Sequence, residues 1–130
     1  MLAGCASPAT VCTAQASNQM LVAELFFGRT IAPAYQRELG ATVTDAQWAT
    51  FARDVLTPAF PDGLTALDAA GQWRNPATGV IGHEPSTLVI VAAPDSEQTR
   101  RGLDAVMAQY RAQFHQQFVG LIVRHDCTNF

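Results

Sequence analysis

The sequence predicts an α+β domain from three observations: four apolar runs of strand length, two amphipathic stretches at helical spacing, and the order in which they alternate. Residues 20–27 (Met-Leu-Val-Ala-Glu-Leu-Phe-Phe) read as a first strand closed by Gly28, with Glu24 the single charge in the run. A long connection, 29–43, follows. Thr44-Asp45-Ala46-Gln47 has the spacing of a capping box, in which Thr44 accepts from a first-turn amide and Gln47 reaches back to the Thr44 amide. Trp48, Phe51, Ala52, Val55 and Leu56 then fall on one helical face. Pro58 is expected to end this helix, because it has no amide proton and disfavours helix at Thr57.

Pro61-Asp62-Gly63 signals a turn. Residues 64–67 read as a second strand that bends at Gly71 and runs on through Gln72-Trp73-Arg74. The loop Asn75-Pro76-Ala77-Thr78-Gly79 turns the chain so that 80–83 pair with 72–74. After Glu84-Pro85-Ser86, the β-branched run 87–93 is the third strand, closed by Pro94. Asp95 or Ser96 caps a second helix with Leu103, Val106, Met107, Tyr110 and Phe114 on one face. Gly102 weakens it by about 1 kcal/mol relative to Ala. Residues 118–123 form the last strand. The order strand, helix, strand, strand, helix, strand is the βαββαβ pattern of ferredoxin-like folds, a four-stranded antiparallel sheet with two helices on one face. Right-handed crossovers put the first and third strands at its centre, the fourth beside the first and the second beside the third.

Composition bounds the function. The 130 residues are 48% hydrophobic and 15% charged, with eight basic and eleven acidic residues, a net charge of -3. One domain with a real core fits this length. Every cation is an arginine, so lysine-dependent Schiff-base and P-loop chemistry is excluded. No basic stripe suggests nucleic acid. No apolar stretch approaches the about 18 residues needed to span a bilayer.

The start, Leu2-Ala3-Gly4-Cys5, resembles a bacterial lipobox, with Cys5 the candidate for lipidation, although no basic and apolar signal regions precede it within the given sequence. Residues 6–19 are rich in Ala, Ser, Thr and Gln without periodicity, as a flexible tether would be. The expected organisation is therefore a lipobox-like start and tether over 1–19 and a single domain over 20–130, exported to the cell envelope or periplasm, with membrane attachment only through a lipid. Cys12 and Cys127 remain as a pair. The antiparallel first and fourth strands bring the end of the fourth beside the start of the first, which favours a disulfide between them over two free thiols.

Two helices cover one sheet face only, so the other should alternate apolar with polar. These strands mostly do not: Leu88, Ile90 and Ala92 are matched by Val89, Val91 and Ala93. The expected cover is a second copy of the sheet in a face-to-face homodimer, with room for a small apolar ligand between; the alternative is the N-terminal segment. Glu24 belongs to this second face. Paired with Arg124 on the neighbouring strand it is a structural ion pair, the favoured reading; unpaired, it is a general-base candidate.

A polar cluster gathers at one sheet end. Arg29 leaves the first strand, Gln72, Trp73 and Arg74 leave the second, His83 and Glu84 enter the third, and the 30–43 loop lies above them. Two arginines beside a Trp and a Glu suit an anionic or planar ligand, with His83 a second base candidate. The same residues also fit a solvated hairpin with weak surface ion pairs. His125-Asp126-Cys127 is a weak metal signal that a disulfide would abolish. His115 suits a helix C-terminus. No cofactor motif is present, so neither cofactor nor metal is expected.

The stretches Glu24-Leu25-Phe26-Phe27-Gly28, Trp48-Ala49-Thr50-Phe51, Thr57-Pro58-Ala59-Phe60-Pro61-Asp62-Gly63-Leu64-Thr65, Gly71-Gln72-Trp73-Arg74 and Glu84-Pro85-Ser86 resemble a bacterial family catalogued as domain of unknown function 3574. The resemblance runs from Glu24 to the C-terminus. It implies a small bacterial protein, often with an export or lipoprotein-like start, and brings no activity or catalytic residues; His83 is not part of its motif. The resulting expectation is a non-catalytic binding module for a small molecule or partner. The alternative is a cofactor-independent enzyme of the dimeric ferredoxin-like kind, with Glu24 or His83 as base.

Overall fold

The computed structural model describes residues 11–130; the lipobox-like start with Cys5 lies outside the described residues. Strand β1 spans Asn18–Gly28. A 3-10 turn, Pro33–Tyr35, and the short helix α1, Gln36–Leu39, occupy the connection that the sequence left without structure. Helix α2 (Asp45–Phe51) begins at the Thr44 capping box: the Gln47 amide donates to Thr44 Oγ1 at 3.2 Å and the Thr44 amide donates to Gln47 Oε1 at 2.8 Å.

Pro58 does not end the helical rod. The chain widens into a π-helical turn over Ala52–Leu56 and continues as α3, Thr57–Ala59. In an α-helical register the proline ring would meet the carbonyl four residues back, at Asp54, and the wider π turn moves that carbonyl aside. The Thr57 hydroxyl donates to the Ala52 carbonyl at 3.0 Å.

The second strand does not break at Gly71. β2 runs continuously over Thr65–Arg74 and β3 over Ile81–Ala93, with Gln72 opposite His83 and Trp73 opposite Gly82. Pro85 is accommodated inside β3 because its carbonyl accepts from the Arg29 amide on the β1 side. Its missing N–H falls on that same side, just where β1 ends, so the β2 ladder loses nothing. Ser96 caps helix α4, Glu97–Phe114, by accepting from the Thr99 amide. β4 spans Gly120–Thr128, so Phe118 precedes it and the strand runs further than its apolar residues suggested.

The sheet order is β2-β3-β1-β4 and every pairing is antiparallel. The architecture is α+β, with three helical stretches among the described residues, 33–39, 45–59 and 97–114, rather than two. The core lies between the central strands and the helices: Leu21, Ala23, Leu25 and Phe27 of β1 and Val89 and Val91 of β3 meet Phe51, Leu56, Leu103 and Tyr110. Each buried Val, Leu or Phe side chain among them contributes about 1.5–3 kcal/mol by leaving water. Phe27, Phe51 and Tyr110 pack edge to face, with centroids 4.8–5.9 Å apart.

The edge strands are barely covered. β2 is exposed along nearly its whole length, and Leu121 and Val123 of β4 are exposed. Cys12 and Cys127 form a disulfide with a Cα–Cα distance of 5.4 Å, which joins residues 115 apart beside the β1–β4 ladder.

Candidate functional site

Cross-strand partners share a face, so the registers sort the sheet into two surfaces. Glu24, Ile90, Ile122 and Thr65 fall on the face away from the helices, as do Phe26, Leu88 and Leu67. Arg124 sits on that face too and reaches Glu24 at 3.3 Å. The carboxylate of Asp126 engages the same guanidinium at 2.6 Å, and these two partners hold Arg124 more firmly protonated than usual, Asp126 contributing most.

β2 and β3 extend beyond the end of β1 as a two-stranded arm. Against this arm stand two connections, residues 30–36 and residues 115–118. Between them lies a groove of about 530 Å³, within the range of small-molecule sites. Gln72, Trp73, His83 and Glu84 line it, together with Phe26 and Phe118. A second cleft, of about 150 Å³ between residues 59–63 and the start of α4, is smaller than such sites usually are.

Glu84 is placed by glycines. A methyl group built on Gly28 would lie 2.8 Å from both Glu84 carboxylate oxygens, and one on Gly71 would lie 3.5 Å from its Cγ. The carboxylate therefore rests against bare backbone, and its Oε2 accepts from the Thr30 amide at 3.3 Å. Beneath it, the Tyr110 hydroxyl donates to the Gly28 carbonyl at 2.7 Å. Burial raises the Tyr110 hydroxyl above its ordinary value, the nearby Arg29 pulling the other way and Glu84 adding to the rise.

The Trp73 indole lies across its partner Gly82, where an added methyl would sit 3.1 Å from the ring nitrogen. It still exposes 39% of its surface and lines the groove. His115, in the left-handed conformation after α4, stacks on Tyr35 with ring centroids 3.9 Å apart. Gln116 donates to the Thr30 carbonyl at 2.9 Å and ties the two connections together.

The two arginines of the expected cluster are not in the groove. Arg29 is buried on the helix side of the sheet, where it donates to the Val43 carbonyl at 2.9 Å and pairs with Asp45 at 2.6 Å. Alternation explains this: Phe27 and Arg29 share the helix face, whereas Gly28 belongs to the other. Arg74 pairs with Ile81 near the tip of the arm and does not line the groove either. Glu24 lies mid-sheet, against Arg124.

Sequence reasoning missed the contributions of Phe26, Ile31, His115, Gln116 and Phe118. The apolar Phe118 just outside the predicted helix is the available signal, although its hydropathy alone assigns it to the last strand, which begins at Gly120. At the other end of the molecule His125 reaches Asp95 at 2.7 Å. The Arg100 guanidinium, with His125 second, holds the Asp95 carboxyl below the usual carboxylate range. Among the described residues no cluster of three or more His, Cys, Asp or Glu could hold a metal.

Fold and groove define a small α+β domain with a ligand-sized recess at one end of its sheet. The chain belongs to the family described as a protein of unknown function, DUF3574, whose model matches residues 22–130. No curated protein matches. Two solved structures share the fold. A phage SAM lyase in complex with S-methyl-5'-thioadenosine superposes with a TM-score of 0.63 at 14% identity, over 84% of this chain and 83% of that one. The apo form of a phage SAM lyase gives 0.59 at 16% identity, over 85% and 83%.

Proposed function

We propose that this protein is a binding module whose sheet-end groove takes a small, nucleoside-sized ligand with a planar part. The observation that carries the reading is the groove itself, about 530 Å³ and lined by Gln72, Trp73, His83 and Glu84 together with two phenylalanines. Aromatic side chains suit a planar ring by stacking, and Gln72 and the imidazoles offer hydrogen bonds to its edge. The phage SAM lyase of similar fold was solved with S-methyl-5'-thioadenosine, a molecule of this size and shape, which supports the choice of probe. Titration of the protein with S-methyl-5'-thioadenosine, followed by calorimetry and by tryptophan fluorescence, tests the reading. Saturable binding that weakens in Trp73→Ala supports it, and no binding of this or any other nucleoside would sink it.

The alternative is a cofactor-independent enzyme. His83 and Glu84 then supply the proton-transferring groups, because both line the groove. Glu24, held by Arg124, does not take part. Product formation from a bound adenosyl compound, lost in both His83→Ala and Glu84→Gln, separates enzyme from module.

Three further readings belong to this proposal. The strand order β2-β3-β1-β4, with a helix between β1 and β2 and another between β3 and β4, supports a ferredoxin-like domain. The Cys12–Cys127 disulfide fits an oxidising compartment and supports export, with Cys5 as the site of lipidation. Partition into the membrane fraction that is lost in Cys5→Ser is the test. The open sheet face is the surface for a second copy. Phe26, Leu67 and Ile122 are exposed there beside the Glu24–Arg124 pair and offer an apolar surface to a two-fold partner.

A further inference from the structure

Resting on the reading of the groove as a ligand site, we propose that its ligand is a sulfonium cation carried on a nucleoside-sized body, and that Glu84 recognises the sulfonium charge. The sequence offers an anionic or planar ligand beside two arginines. Once Arg29 is committed to Asp45 and the Val43 carbonyl on the far side of the sheet, and Arg74 stands away from the groove, no guanidinium remains to meet an anion. Among the described residues lining the groove, and apart from two imidazoles, the only charged side chain is Glu84.

Glu84 has no cationic partner among the ion pairs of the described residues. Its one hydrogen bond, from the Thr30 amide, is long at 3.3 Å. Half-buried and pressed against the Gly28 backbone, the carboxylate has given up part of its hydration without a counter-charge. That arrangement costs free energy in the empty site, and an arriving cation recovers it.

The walls agree with this sign of charge. Trp73, Phe26 and Phe118 supply aromatic rings, whose negative faces attract a cation and leave an anion unrewarded. A sulfonium suits such walls better than a metal ion, because its charge is spread over carbon-bearing groups that tolerate partial desolvation. Two glycines, Gly28 and Gly71, keep the space beside the carboxylate free of side chains.

The matched pair S-adenosylmethionine and S-adenosylhomocysteine tests the proposal, since the two differ by one methyl group and one positive charge. Isothermal titration of the full chain at neutral pH is expected to find the sulfonium compound bound at least about tenfold more tightly, a modest difference for one partly buried ion pair. In Glu84→Gln that preference falls to near unity while the affinity for S-adenosylhomocysteine stays within about twofold, as a matching amide keeps the Thr30 contact. Equal affinity for the two compounds in the unmodified protein, or a preference that survives in Glu84→Gln, overturns charge recognition and leaves the groove reading standing. Binding of neither compound, nor of S-methyl-5'-thioadenosine, overturns both. The comparison in the unmodified chain does not depend on any variant folding.

Discussion

The hydroxyl of Tyr110 donates to the carbonyl of Gly28 at 2.7 Å, joining the buried face of α4 to the point where β1 runs out beneath the groove. A side chain from the last third of a helix thereby fixes the backbone on which Glu84 rests.

Replacing Tyr110 by Phe removes the donor and leaves a buried carbonyl without its partner, at a cost of about 1 kcal/mol. Burial, the largest effect, raises the Tyr110 hydroxyl above its ordinary 10.0, so the folded state keeps a proton that the unfolded chain gives up. The resulting contribution to stability is complete below pH 10 and is lost as pH rises above it. Urea denaturation across pH 8–11.5 should show that decline in the native sequence and a flatter curve for Tyr110→Phe; identical curves would assign the decline elsewhere.

Gly28→Ala places a methyl 2.8 Å from both oxygens of Glu84. Either the carboxylate swings away or the strand shifts, and the expected loss is about 1–3 kcal/mol of stability. If thermal melting of this variant matches the native protein, the carboxylate does not rest where the geometry puts it.

The Cys12–Cys127 disulfide closes a loop of 115 residues, and in the chain-entropy model its loss costs about 4–5 kcal/mol. Cys127→Ser and the reduced native protein should unfold at the same, much lower denaturant concentration. A reductant-insensitive midpoint contradicts this.

Arg29→Ala separates structure from binding. It unties the Val43 carbonyl and Asp45 from the end of β1, with an expected cost of about 2 kcal/mol. Because Arg29 does not line the groove, affinity for the adenosyl probes should hold at temperatures where the variant is folded. A selective loss of binding in a folded variant would return Arg29 to the site.

Ile122 is half-exposed on the open sheet face beside Glu24. Ile122→Asp costs an isolated chain about 1 kcal/mol, through lost β-propensity and the carboxylate of its cross-strand partner Glu24, and sets a further carboxylate against any partner sheet. Sedimentation should find a dimer for the native chain and a monomer for the variant. A native chain that sediments as a monomer at every concentration removes the paired-sheet reading.

Much of the fold was legible in the residues. The capping box at Thr44 and Gln47, the helical stripe ending in Tyr110 and Phe114, and the β-branched run into Ala93 are local patterns, each decided by spacing within a few residues. Antiparallel β1 and β4 likewise followed from chain order, and with them the meeting of Cys12 and Cys127. Two local rules misled. Pro58 did not stop the rod, because a π turn absorbed its ring, and Pro85 did not interrupt β3, because its blocked edge faces the place where β1 has already ended. A proline's cost depends on which neighbour occupies the position it blocks, and that neighbour comes from elsewhere in the chain.

The candidate site divides along the same line. Gln72, Trp73, His83 and Glu84 could be assigned to one end of the sheet from sequence, since a hairpin fixes which residues face one another. The sign of the site's charge could not. It turns on whether Arg29 lies above or below the sheet, which a single step of alternation decides, and on Asp45 and Val43, which the tertiary fold brings to it. It turns equally on Gly28 and Gly71, whose missing side chains matter only because Glu84 comes to lie against them. The sequence by itself determined the four strands, the two main helices, their order and the pair of cysteines, because those depend on local spacing and connectivity. Only the tertiary structure decided which charges are spent inside the fold and which one is left facing the groove, because charge pairing is settled by distance in space.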